Sequence, residues 1–338
     1  MLVLKKIALK GILLIGLLVA LNFIYKASFF KADLAEFSKF SIAINQSLDS
    51  EILYLGDCSD SYFGSDRTSE KGISQILDSL LTDQKVATIS ETGFNSEMYA
   101  AILNNLPEVS KIKTVIVTMN LRSFSSYTRY SNTYNSTNQR LILLDKKYPP
   151  ILNRFFLSFK KKRVYNGTEL QENKIIDYKK YMLKDAPYNT LYEWSNAFDN
   201  KEVSLFDYSL PIHTQDKAKG YITNYAFQIN PKNNPILNGF DEIVEIAKAK
   251  NIKLVFHLLP ENIKECNELI GADLVKITNK NRDLLIDRYS KNEVTIIDNL
   301  EILENQDYIE NIPNSHYYYN GRKLMAMEIF KHFNKKDK

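Results

Sequence analysis

The sequence predicts an α/β fold in three layers. A parallel five-stranded sheet carries helices on both faces, has a large insertion between strands three and four, and follows one N-terminal transmembrane helix. Three observations predict it. Short apolar runs alternate with amphipathic stretches of helical period near both ends of the chain, the pattern of a parallel sheet wrapped by helices. The run Thr114–Met119 is apolar almost without a break, as in a strand whose two faces are both covered. A lysine-flanked apolar segment at the front is long enough to cross a bilayer.

That front segment runs from Ile7 to Tyr25, 19 residues interrupted only by Lys10 and Asn22. Lys5, Lys6 and Lys10 precede or open its apolar core, which favours a cytoplasmic tail over residues 1–6. A cleaved signal peptide needs small residues at its cleavage site. Here Ala27-Ser28 runs straight into Phe29-Phe30, so an uncleaved signal-anchor over 7–25 is the favoured reading. It places the rest of the chain outside the cytoplasm, on the periplasmic or extracellular face of the cell membrane.

Residues 26–50 read as a juxtamembrane helix or stalk, with Leu34, Phe37, Phe40 and Ile44 at helical spacing. The domain proper spans 51–338. Strand one is Ile52–Leu55, followed by a helix around Lys71–Leu81 with Ile73, Ile76, Leu77 and Leu80 on one side. Strand two is Val86–Ile89, a helix covers Ser96–Asn105, and strand three is Thr114–Met119. The alternation resumes with a helix over Phe240–Lys250, strand four over Lys253–Leu259, a helix over Asp273–Tyr289, strand five over Val294–Ile297 and a closing helix over Arg322–Phe333.

Between strands three and four lies the insertion, about residues 123–238, which holds 12 of the 21 tyrosines and the basic cluster Lys160–Arg163. A connection that long commonly forms a cap over the functional edge. Its tyrosines either pack a small core of their own or stack on sugar rings, and the packing role is favoured.

The formal net charge of +4 belongs to the front segment. Lys5, Lys6, Lys10 and Lys26 are its only charges, and taking them from 44 basic residues leaves 40 against 40 acidic. A neutral domain argues against a nucleic-acid partner. Cys58 and Cys266 are the only cysteines, and the four histidines are scattered, so no metal-ligand spacing and no cofactor are indicated. The two cysteines remain candidates for a disulfide in an oxidising compartment.

Ligands of open parallel sheets bind beyond the C-terminal strand ends. Strand one delivers Gly56-Asp57-Cys58-Ser59 there, an apolar strand breaking into a turn that holds a nucleophile near unpaired backbone N–H groups. Strand two delivers Gly93 and Asn95, strand three Asn120 and Arg122, and strand four Pro260-Glu261-Asn262. His316 lies after strand five, ahead of Asn320-Gly321-Arg322. These types suit acyl transfer: a nucleophile, a histidine base, and amide donors for an oxyanion.

With these blocks in this order, the chain resembles the SGNH (GDSL-like) hydrolase superfamily over about Glu51–Phe333, the insertion apart. The matching marks are Gly56-Asp57-Cys58, Gly93, Asn120, and His316 with Asn320-Gly321-Arg322-Lys323-Leu324-Met325-Ala326. The resemblance implies a flavodoxin-like layout, with Cys58 or Ser59 as nucleophile, His316 as base, and Gly93 and Asn120 as the oxyanion hole. Asp57 becomes a structural residue of the turn, and Asn95 and Arg122 candidate substrate contacts. The stretch Asn120-Leu121-Arg122-Ser123-Phe124-Ser125 is similar to a bacterial subgroup found with surface-polysaccharide genes. More distantly, the layout is similar to membrane-anchored SGNH proteins that acetylate alginate or D-alanylate teichoic acid. The implied activity is an O-acyl esterase or acyltransferase acting on a surface glycan or acylated saccharide. A non-catalytic partner of a membrane-bound acyltransferase on the same fold is the alternative.

Two departures keep that alternative open. Cysteine stands where the superfamily has serine, leaving Cys58, Ser59 or neither as nucleophile. Pro313 stands three residues before His316, where an orienting Asp is usual, leaving Asn314, Asp307, Asp298 or a carbonyl for that role.

Overall fold

The computed structural model describes residues 2–37, 49–61, 68–129, 140–158, 191–200, 212–292, 294–309 and 316–334. Its frame is one five-stranded parallel sheet in the order β2-β1-β3-β4-β5. The strands are β1 (Ile52–Gly56), β2 (Val86–Ser90), β3 (Thr114–Met119), β4 (Lys253–Leu258) and β5 (Thr295–Asp298). All four pairings are parallel, with Tyr54 beside Ile116 and Ile116 beside Val255.

Strand periodicity sorts the core into two sides, because successive side chains point to opposite faces. Leu53, Leu55, Val115, Val117, Leu254 and Phe256 join one cluster. Ile52, Tyr54, Ile116, Val255 and Ile297 join the other. Eleven helices among the described residues matter below. Near the front are α1 (Leu2–Ser28) and α2 (Phe30–Phe37). Next come α3 (Ile73–Leu80) and α4 (Ser96–Asn105). The insertion contributes α5 (Pro150–Ser158), α6 (Leu191–Asp199) and α7 (Ile212–Tyr225). Then follow α8 (Pro235–Ala249), α9 (Ile263–Leu269), α10 (Ala272–Ser290) and α11 (Tyr319–Asn334).

The first cluster is closed by α4, α8 and α10, through Met98, Ile102, Phe240, Ile243, Ile277 and Leu285. The second is closed by α3 and α11, through Ile73, Leu77, Met325 and Ile329. Outside the insertion, strand and helix positions follow the sequence expectation to within a few residues, with one addition: α9, capped by Asn262, whose Oδ1 accepts the Glu265 N–H at 3.1 Å. Within the insertion, α5, α6 and α7 are helices the sequence did not assign.

The described part of the insertion shares the main core. Leu143, Leu144, Ala197, Ala218, Tyr221, Ile222 and Tyr225 belong to the first cluster. Tyr221 donates to Glu265 at 2.6 Å, so this tyrosine packs and bonds within the protein. The basic cluster at 160–163 lies outside the described residues.

At the front, α1 is one unbroken helix, and the most apolar 18-residue window of its stretch Val3–Ser28 has a mean hydropathy of 2.4. At 1.5 Å per residue its 27 residues reach about 40 Å, more than a bilayer core of about 30 Å requires. In α2, Leu34 is buried in the first cluster and Asp33 pairs with Arg154 of α5 at 2.8 Å. Phe40 and Ile44 lie outside the described residues.

Arg322 is wholly buried and acts as a strut. It donates to the Lys71 carbonyl at 3.0 Å, the Ser69 carbonyl at 2.7 Å and the Tyr317 carbonyl at 2.8 Å. Removing one partner of a buried charged network leaves the others unsatisfied. Arg322→Met should therefore cost about 3–5 kcal/mol, read as a lower denaturant midpoint with an unchanged slope in urea unfolding of the detergent-solubilised chain.

Candidate active site

The order β2-β1-β3 reverses the winding direction at β1, and the region beyond the C-terminal ends of β1 and β3 is where open parallel sheets form their ligand crevice. The turn after β1 fills it. Asp57 caps a short 3-10 helix, Cys58–Asp60, by accepting the Ser59 N–H on Oδ1 at 2.8 Å. Its Oδ2 accepts from the Asn120 side-chain amide at 3.4 Å, and its carbonyl accepts from Ser90 Oγ at 2.6 Å. One residue thus ties together the ends of β1, β2 and β3.

Cys58 is partly exposed, whereas Ser59 is fully buried with an unbonded Oγ. The two nucleophile candidates are thereby separated: the turn aims the sulfur toward the crevice and rotates the neighbouring hydroxyl inward. Arg122 reaches back from the end of β3 with Nη2 3.7 Å from Cys58 Sγ. Burial pushes the Cys58 thiol up, Asp57 adds to this, and the Arg122 cation only partly opposes it, leaving the thiol at about 11. At neutral pH the sulfur carries its proton. Both cysteines are free thiols, which removes the disulfide considered from sequence.

Asn120 uses Oδ1 to accept the Arg122 N–H at 3.2 Å and turns its NH2 toward Asp57. Gly93 sits in the turn after β2 at φ +83°, a region where an L side chain is strained. Asn95 is committed locally: its Oδ1 caps α4 through the Glu97 N–H at 3.0 Å, and its amide donates to the Gly93 carbonyl at 3.3 Å.

His316 is buried and its backbone carbonyl accepts the Ile309 N–H at 3.0 Å. Burial holds the imidazole down at about 4, the Arg122 cation lowers it further, and Asp57 opposes. The ring therefore sits within the fields of Arg122 and Asp57 and is neutral at physiological pH. Pro313 and Asn314 lie outside the described residues. Asp307 and Asp298 both accept local backbone N–H groups, from Glu304 and Leu300, each at 3.0 Å.

The sequence reading placed Glu261 beyond strand four without assigning it a role. Glu261 is buried, takes a hydrogen bond from Tyr225 on Oε2, and has no partner on Oε1. Burial raises its carboxyl to about 8 against the pull of Tyr225 and Arg122, so at neutral pH it is mainly protonated. Asp60 is the second addition. It accepts the Ser74 N–H and the Ser74 hydroxyl, both at 2.8 Å, which anchors the Cys58 turn to the start of α3. Its position two residues after the cysteine was the available signal. Tyr225 had none, since nothing in the insertion's sequence ties one tyrosine to strand four.

No family profile matches the sequence, and no curated protein matches it. Among solved structures it is similar to a GDSL-like lipase from Bacteroides thetaiotaomicron, at 8% identity and a TM-score of 0.41, covering 90% of this chain and 99% of that one. It is also similar to a member of the lipolytic G-D-S-L family from Veillonella parvula, at 11% identity and 0.37, covering 84% and 97%. A third is a lipase/acylhydrolase from Enterococcus faecalis, at 7% identity and 0.35, covering 85% and 96%.

Only the thiolate reacts with alkylating agents. Alkylation of Cys58 by iodoacetamide, followed by peptide mass spectrometry, should rise about tenfold per pH unit from pH 7 to 10 without a plateau. Arg122→Met should slow it several-fold by removing the nearby cation. A plateau at or below pH 8 in the unmodified chain would show a preformed thiolate instead.

Proposed function

We propose that this chain is an SGNH-type O-acyl esterase or acyltransferase, anchored by residues 7–25, whose domain acts on an acylated cell-surface saccharide outside the cytoplasm. The observation that carries this reading is the joining of Cys58, Asn120 and Arg122 around Asp57 at the crevice, with His316 inside the same electrostatic field.

The resting pair is a neutral thiol and a neutral imidazole, so proton transfer must accompany attack. Cys58 Sγ adds to the acyl carbonyl while His316 takes the thiol proton. The carbonyl oxygen becomes an oxyanion, for which the Asn120 side-chain amide, the Gly93 N–H and the Cys58 N–H are the candidate donors, the Ser59 and Asp60 N–H groups being held by Asp57. Collapse breaks the bond to the alcohol oxygen, which receives the proton from His316, and leaves a thioester on Cys58. Water or a second hydroxyl then attacks the thioester, with His316 again removing a proton, and the thiol is restored. Arg122 supplies positive charge beside the sulfur and suits a substrate carrying a carboxylate nearby. Glu261, protonated at Oε1 or Oε2, adds a candidate donor at the same edge.

A second reading keeps the fold and drops the chemistry: a glycan-binding or assembly partner of a membrane acyltransferase. The thiol near 11 favours it, because a base near 4 is poorly matched to such an acid.

Hydrolysis of p-nitrophenyl acetate and of acetylated polysaccharide by the full-length chain separates the two. Cys58→Ala should reduce kcat/KM by about 10³-fold or more, Asn120→Ala by about 10²–10³-fold and His316→Ala by about 10²–10⁴-fold. Ser59→Ala should change it little. Because the imidazole is held near 4, the base form persists well below the ordinary histidine range. The acid limb of kcat/KM should then fall near pH 4, below the usual value of about 6.5 for histidine. Equal rates in the parent and in Cys58→Ala on both substrates would leave the binding role standing alone.

A further inference from the structure

Outside α1, the exposed large hydrophobic side chains among the described residues are Phe29, Val109, Tyr148, Phe155, Leu324 and Met327. The three aromatic ones are 56%, 40% and 55% exposed. All three lie where α1 leaves its apolar stretch. Phe29 links α1 to α2, while Tyr148 and Phe155 flank and occupy α5. The Ile151 N–H donates to Asn22 of α1 at 3.2 Å, and Arg154 pairs with Asp33. Exposed Lys146 and Lys147 border this face, with Lys147 Nζ 5.6 Å from the Tyr148 ring centre.

The same corner can be placed on the sheet. α4 runs back from the end of β2 to the start of β3, so its C-terminus lies at the N-terminal edge of the strands. Lys146 donates to the Asn104 carbonyl there, and the Asn105 amide donates to the Leu144 carbonyl at 2.9 Å. This edge is basic. Lys85 precedes β2, Lys113 precedes β3 and Lys253 opens β4. A cleft of 680 Å³ between β3, β4 and the helix ends is lined by Lys113, Lys248, Lys253 and Lys291, with Glu245 as its one acid.

We propose that the face made by Phe29, Tyr148 and Phe155, with Lys146 and Lys147 at its margin, lies in the lipid headgroup layer beside α1. This rests on α1 being a retained membrane anchor. The occupant is lipid because the face continues the apolar surface of α1, and aromatic rings edged with lysine match the interface between acyl chains and anionic headgroups. The N-terminal edge of the sheet then faces the bilayer. Cys58, at the opposite edge across about 20 Å of strand, faces away from it. The site is thereby presented to polymer beyond the membrane, and lipid acyl chains of the same leaflet stay out of reach.

The test uses the full-length chain in nanodiscs of phosphatidylcholine and phosphatidylglycerol, with Trp194 kept and its signal subtracted using the parent protein. Single variants Phe155→Trp, Tyr148→Trp and Glu70→Trp report three positions, the last near the Cys58 edge. Brominated lipid is expected to quench the added emission of the Phe155→Trp and Tyr148→Trp variants by about twofold or more, and to leave that of Glu70→Trp unquenched. Absence of quenching at positions 155 and 148, or quenching at position 70, overturns the proposal. Blue-shifted but unquenched emission from the Phe155→Trp variant puts a protein on this face, including a second copy of the chain, and also overturns it. Failure of the chain to enter nanodiscs at all instead removes the anchor reading beneath it.

Discussion

Asp57 is the constraint on which the site depends. Its two carboxylate oxygens and its carbonyl receive hydrogen bonds from the turn after β1, the end of β3 and the end of β2. The reversal of winding at β1 leaves backbone N–H groups and side chains without sheet partners, and one buried carboxylate can satisfy several of them at once. The consequence is geometric. Cys58 and Ser59 follow Asp57 directly, so fixing Asp57 fixes which of them looks into the crevice.

The same carboxylate shapes the electrostatics. A negative charge beside a half-buried thiol disfavours thiolate, and desolvation works in the same direction, so one nearby arginine does not produce a preformed nucleophile. Arg122 illustrates the other side of this balance. Burial works against its charge, yet the guanidinium stays charged, with the Asp57 carboxylate among its neighbours. Glu261 in turn is left mainly protonated because burial outweighs that attraction. The edge therefore holds a cation and a neutral acid together, the combination of charge and donor on which the proposed ester chemistry draws.

Most of the frame was legible in the sequence because its signals are local. Period-two and continuous apolar runs located all five strands, and the helical stripes around Ile73, Ile76 and Leu77 or Phe240 and Ile243 reported which faces would be buried. The site was legible as a set of strand-end residues, since topology brings such ends together. What escaped was the content of long-range pairing. Nothing near Tyr225 announces that it bonds Glu261, and nothing near Arg322 announces that its partners are the carbonyls of Ser69 and Lys71. The different burial of Cys58 and Ser59 also escaped, because one residue along a 3-10 turn rotates a side chain from the surface to the core.

Arg322 shows how the distant parts are brought into register. It bonds the Tyr317 carbonyl, one residue beyond His316, and the carbonyls that lead into α3. Its charge also draws on Asp60, which anchors the Cys58 turn through Ser74. The histidine segment and the cysteine turn, far apart in sequence, are thus indexed to one buried cation. Tyr317 adds a second link by donating to the Pro260 carbonyl at 3.0 Å, which fixes the same segment to the end of β4 beside Glu261. A substitution that loosens Arg322 would move His316 relative to the Cys58 sulfur without touching either. The separation between His316 and Cys58 is therefore a property of the buried polar core, and the chemistry proposed for the crevice would inherit its precision from that core.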